Sequence, residues 1–161
     1  MSDEQFAAAP EWTVSEWLNV AEPLNLAALR GRVVVALAFQ MLCPGCVQSA
    51  LPQLKRVHDT FDSSRVAAVG LHTVFEHHDA MSPTSLRAFL HEFRFDFPVG
   101  IDAPDPAGGT PLTMRRYSMQ GTPTLMQIDA EGRLRQQTFG HDADLRLGAA
   151  IMALMLEAAG G

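Results

Sequence analysis

The run Val33-Val34-Val35-Ala36-Leu37-Ala38-Phe39, then Gln40-Met41-Leu42, then Cys43-Pro44-Gly45-Cys46, decides how the rest of the chain is read. The first seven residues are apolar throughout and open with three valines after Gly31. A short continuous run of this kind suits a parallel strand buried on both faces. It falls far short of the roughly 20 residues that a membrane helix needs. Pro44 fits the first position of a helix, where a missing N–H costs nothing. Val47, Leu51, Leu54, Val57, His58 and Phe61 then continue at helical spacing, and Pro52 inside the run predicts a kink.

Two thiols three positions apart are therefore expected where a buried strand gives way to a helix. Unpaired N–H groups and the positive end of the helix dipole stabilise an anion there, which favours Cys43 as a thiolate nucleophile. Cys46, one turn further in, is placed to attack a mixed disulfide on Cys43 and leave an internal disulfide to be recycled. The competing reading is half of a zinc site. A structural zinc site is normally four-coordinate, and the chain has only these 2 cysteines, so histidines or carboxylates would have to complete it. The strand-to-helix setting favours a redox dithiol.

Outward from this centre, Arg65 to Val74 reads as a second buried strand. Ser82-Pro83-Thr84 opens a helix with the apolar stripe Leu86, Phe89, Leu90 and Phe93, and Phe97 to Ile101 begins a short extended segment. The Pro/Gly-rich stretch from Ala103 to Pro111 is expected to be a loop and Leu112 to Ser118 a short helix. Thr124 to Asp129 and Leu134 to Phe139 form a hairpin across Asp129-Ala130-Glu131-Gly132. Asp142 or Asp144 caps a last helix running to about Ala158. Met1 to Leu29 has no clean period and is expected to be an N-terminal arm packed on one domain that spans residues 1–161.

Strand-helix-strand-helix followed by hairpin and helix gives an α/β architecture with a central mixed β-sheet flanked by helices. From about Gly31 onward the chain resembles the thioredoxin-like superfamily, in its TlpA-like and AhpC/TSA-like (redoxin) branch. The likeness rests on the apolar strand, the Cys-Pro-Gly-Cys run, the helical Pro52, Phe97-Pro98-Val99, Tyr117-Ser118-Met119-Gln120-Gly121-Thr122-Pro123-Thr124, and the Asp129 to Gly132 turn. It implies a thioredoxin-like fold with an N-terminal extension, Cys43 as attacking thiol and Cys46 as resolving thiol. It further implies a cis peptide at Thr122-Pro123 whose backbone pairs with an extended substrate segment. Three positions depart from the family pattern. Leu42 stands where tryptophan is frequent before the first cysteine, Leu37 and Ser49 occupy places where relatives carry an acid, and Gln40 stands where the peroxidase pattern has threonine.

Other residues have bland and sharp readings. His72, Glu76, His77, His78 and Asp79 cluster at the end of the second strand, where they could give a general base or metal ligands to the thiols, or form an ordinary polar loop with one histidine satisfied by a neighbouring carboxylate. Met41, Met114, Met119 and Met126 could form a pliable apolar surface but are more often core filler. The last helix, with Leu145, Leu147, Ile151, Met152, Leu154, Met155 and Leu156, is wide enough in its apolar face for core and for a dimer contact.

Composition narrows the function. Acidic residues outnumber basic ones 18 to 12 with no basic run, which argues against a nucleic-acid partner. The start of the chain lacks the basic and apolar segments of a secretory signal, so a cytoplasmic protein with no membrane partner is expected. The expected activity is thiol-disulfide oxidoreduction without cofactor or metal. The partners expected are protein or small-molecule thiols and disulfides with an unidentified electron donor, and the protein is expected to be a monomer or homodimer. The alternatives are a thiol peroxidase, or a metal-binding protein delivering copper through Cys43, Cys46 and a histidine such as His72.

Overall fold

The computed structural model describes residues 5–160. Met1 to Glu4, the outer end of the expected arm, and Gly161 lie outside the described residues. The elements in chain order are β1 (Val14–Leu18), β2 (Val33–Phe39), a π-helical turn (Cys46–Ala50) that runs into α1 (Leu51–Thr60), and β3 (Val66–His72). There follow α2 (Pro83–Glu92), β4 (Val99–Asp102), α3 (Leu112–Arg116), β5 (Thr124–Ile128), β6 (Leu134–Phe139) and α4 (Asp144–Gly160). The six strands form one mixed sheet in the order β1-β4-β3-β2-β5-β6. β2, β3 and β4 run parallel, while β1, β5 and β6 pair antiparallel with their neighbours.

The period of two along β2 sorts its side chains onto two faces. Val33, Val35, Leu37 and Phe39 point to a core built with Leu51, Leu54 and Val57 of α1, Leu86, Phe89 and Leu90 of α2, and Leu147, Ile151, Leu154 and Met155 of α4. Val34, Ala36 and Ala38 point the other way, against Trp12, Leu26 and Leu29 of the arm and Met114, Tyr117 and Met119 around α3. Both faces are covered, which is why β2 reads as an unbroken apolar run.

Several expectations need correction. The arm, for which no strand was expected, carries β1, hydrogen-bonded to β4. The second strand spans Val66–His72 rather than Arg65 to Val74, and the short helix stops at Arg116, with Ser118 beyond it at a φ of 51°. Phe93 is not part of the buried stripe of α2; it lies past the helix end, half exposed against Phe89 and Phe95. The kink expected at Pro52 takes the form of the π turn, in which the Leu51 N–H reaches back to the Cys46 carbonyl. Pro52 has no N–H for the Gln48 carbonyl, and the wider turn relieves the clash of its ring with that carbonyl. The final helix begins at Asp144, which pairs with Arg56 and Gln53. It buries Leu147, Ile151, Leu154 and Met155 and turns Leu145, Met152 and Leu156 outward. Met114, Met119 and Met126 are core residues, and Met41 is half-buried. Among the described residues no helix is long and apolar enough to cross a membrane.

Candidate active site

The sheet register assembles the site. Ala38 of β2 pairs with Thr124 of antiparallel β5, so the residues that follow β2 lie beside those that precede β5. Phe39 pairs with His72 of parallel β3, which brings the loop after β3 to the same end. Three segments meet there: Gln40 to Cys46, Thr73 to Glu76, and Gly121 to Pro123.

Cys43 follows this strand end and its carbonyl accepts the Val47 N–H, so the helix starts on it with Pro44 as the first helical residue. Cys43 is half-buried and Cys46 has no exposed surface. The Cys43 thiol donates to the Thr122 carbonyl at 3.5 Å. The peptide bond between Thr122 and Pro123 is cis, and a Cβ on Gly45 would lie 3.6 Å from Pro123 Cδ. The four residues singled out in the sequence, Cys43, Cys46, Thr122 and Pro123, are thus brought together. Burial pushes the Cys46 thiol up to about 12, helped by its hydrogen bond with Cys43 and by the charge Cys43 can carry. The Gln40 backbone and the Thr122 side chain act in the opposite direction.

Gln40 is the residue that the sequence did not single out as part of the site. It is buried, its Oε1 accepts the Phe75 N–H at 3.2 Å, and its Nε2 donates to Thr122 Oγ1 at 3.3 Å and to Glu76 Oε1 at 3.5 Å. The only hint in the sequence is a polar residue directly after seven apolar ones.

The polar segment after β3 does not act as one group. His72 is inside the core, its ring 5.1 Å from that of Phe39, and its Nε2 accepts the Met41 N–H at 3.3 Å. Burial lowers its pKa to about 4, so the imidazole is neutral near pH 7 with its proton on Nδ1. His77, His78 and Asp79 are exposed. Among the described residues, the group arranged to hold a cation is His58, Asp59 and Asp96, with ligand atoms within 4.8 Å of one another. Lys55 Nζ already bridges the two carboxylates, at 2.9 and 2.8 Å. His58 lies twelve positions further along the helix than Cys46, about 18 Å of helix, so this group has no part in the thiol chemistry.

No protein-family model matches the chain, and no curated protein matches it. Solved structures do. The crystal structure of the thioredoxin-like superfamily protein SPOA0173 shares 53% identity, covering 92% of this chain and 96% of its own, with a TM-score of 0.89. That of a thiol-disulfide isomerase from Corynebacterium glutamicum shares 45% identity over 91% of this chain and 96% of its own, with a TM-score of 0.87. A putative thiol:disulfide interchange protein DsbE from Chlorobium tepidum, at 23% identity, a TM-score of 0.72 and coverage of 96% and 99%, shares the fold. With about half of its residues shared along nearly the whole of two such chains, this chain belongs to the thioredoxin-like superfamily, in its redoxin branch.

Proposed function

We propose that the protein is a thiol-disulfide oxidoreductase in which Cys43 attacks and Cys46 resolves. The observation that carries this is the asymmetry of the pair: Cys43 reaches the surface at the start of a helix, while Cys46, one turn on, is fully buried. The Cys43 thiolate attacks one sulfur of a substrate disulfide, forming a mixed disulfide and releasing the first substrate thiol. Cys46 then attacks the Cys43 sulfur, the second substrate thiol leaves and takes up the proton that Cys46 gives up, and two electrons have passed from the dithiol to the substrate. A dithiol donor returns the pair to its reduced form by the reverse exchange.

A polypeptide disulfide fits the surroundings better than a small one. Leu42, next to Cys43, is 51% exposed, and Phe139, whose ring lies against Gly121, is 54% exposed. These apolar groups flank the route to the thiol and would be covered by a peptide on either side of its own cysteine. The reading carries with it a reducing compartment, the cytoplasm, where the pair rests as two thiols and runs as a reductase.

The test is a pair of substitutions. Cys43→Ser abolishes dithiol-dependent reduction of a protein disulfide, and Cys46→Ser traps substrate as a mixed disulfide on Cys43, visible as a mass adduct under non-reducing conditions. A Cys43→Ser protein that reduces the test disulfide as fast as the parent overturns the assignment.

A further inference from the structure

One carboxylate is fastened beside the reactive thiol. The buried Gln40 amide places its Oε1 on the Phe75 N–H, and its Nε2 lies 3.3 Å from Thr122 Oγ1 and 3.5 Å from Glu76 Oε1. The flipped amide would set donor against donor at Phe75 and oxygen against carboxylate at Glu76, so its direction is fixed. The Gln40 carbonyl accepts the Cys43 N–H at 3.0 Å, and the Cys43 thiol donates to the Thr122 carbonyl at 3.5 Å. Glu76 therefore hangs from the residue that also ties down both sides of the thiol site, while being itself exposed. It is the only carboxylate in the segments that meet there. Gln40 to Cys46, Thr73 to Glu76 and Gly121 to Pro123 contain no lysine or arginine, and neither does the turn Cys46–Ala50.

We propose that Glu76 is a specificity-determining residue of the thiol site, selecting polypeptide disulfides whose cysteine is flanked by lysine or arginine. The proposal rests on the oxidoreductase reading and names its substrate class. Most exposed ion pairs contribute little because two long side chains must be held in one geometry. A carboxylate already held by a buried amide gives up less freedom on meeting a cation. A peptide lying across Leu42 and Phe139 to reach Cys43 also displaces water from the site, which strengthens the attraction of Glu76 for a cation and its repulsion of an acid. An extended peptide advances about 3.3 Å per residue, so a long basic side chain within two residues of the substrate cysteine spans the distance that the Gln40 amide bridges between Thr122 and Glu76. The net charge of -6 over the whole chain favours encounter with the same partners.

The experiment uses the full chain in its reduced form and three disulfide-linked peptide dimers, alike except for lysine, serine or glutamate on both sides of the cysteine. Each turnover releases two peptide thiols and leaves Cys43 and Cys46 joined. Every rate is divided by that of the same peptide with dithiothreitol, which removes the effect of the flanks on the disulfide itself. The assay is run at pH 8, where an ordinary imidazole is uncharged. The second-order rate constant is expected to fall about threefold from the lysine to the serine peptide and about threefold again to the glutamate peptide, with both steps shrinking at high salt. Glu76→Gln closes most of the gap, and Glu76→Lys reverses the order of the peptides, which a mere loosening of the loop could not do. Equal rates for the three peptides in the parent protein, a gap unchanged in Glu76→Gln, or an order that Glu76→Lys leaves as it is would overturn the proposal. Failure of the parent protein to reduce any of the peptides is a different result, which overturns the oxidoreductase reading and the proposal with it.

Discussion

His72 shows how a single side chain changes meaning between sequence and structure. Beside Glu76, His77 and His78 it reads as one of a polar cluster at a strand end; pairing with Phe39 puts it in the core, with the Met41 amide as its partner. Its pKa falls from 6.5 to about 4 through burial. The unfolded chain therefore binds the proton more readily than the folded one. The stability contributed by neutral His72 is fully present above pH 6.5 and is lost as the pH falls toward 4, by about 3 kcal/mol. In urea unfolding at pH 7 and pH 4.5, His72→Gln is expected to lose less stability over that interval than the parent protein. Asp102, whose pKa burial raises, works in the opposite direction but is common to both proteins. Parallel losses in parent and variant would remove the assignment. Gln40 shows the same limit of local reading: its partners lie 35, 36 and 82 positions away, and no periodicity in the chain could name them. The thiol pair was legible because its chemistry depends on neighbours three residues apart and on one strand-to-helix junction.

Elements whose environment is symmetrical were the most legible. β2, buried on both faces, carries its boundaries in its composition, and β6 is bounded by the Asp129 to Gly132 turn and Gly140. Gly132 adopts a φ of 83° and donates to the Asp129 carbonyl, and Asp129 Oδ1 accepts the N–H groups of Glu131 and Arg133. β1 was not legible, because its burial does not alternate and its order comes from β4. Trp17 lies across Gly100 of that strand, where a Cβ would meet its ring at 3.1 Å. Gly70, in the middle of β3, has a comparable role on the α1 side of the sheet. A Cβ there would lie 3.0 Å from Phe39 and 3.3 Å from both Phe97 and Val99. Gly70→Ala is therefore expected to overpack the core and cost about 1 to 3 kcal/mol in chemical denaturation. A variant as stable as the parent would show that Phe39 can move aside without loss.

At the scale of the molecule, the arm joins the two ends of the sheet order. Ala7 and Ala9 hydrogen-bond to Leu134 and Gly132 beside the β5–β6 hairpin, Trp12 is buried beneath the sheet, and β1 closes the β4 edge. The arm thus covers the face that α3 alone is too short to cover, which explains why two tryptophans and several leucines precede the first buried strand. All of this leaves the reactive end of the sheet with one accessible sulfur. With Cys46 sealed from solvent, the proposed oxidoreductase reading requires electrons to enter and leave through Cys43 alone, and the disulfide substrate and the dithiol donor to occupy the same place in turn. Steady-state kinetics of the coupled reaction should follow a double-displacement pattern, with parallel double-reciprocal lines as the donor concentration is varied. Excess donor should inhibit in competition with the disulfide substrate. Intersecting lines would require both partners to be bound at once, and the molecule would then need a second door.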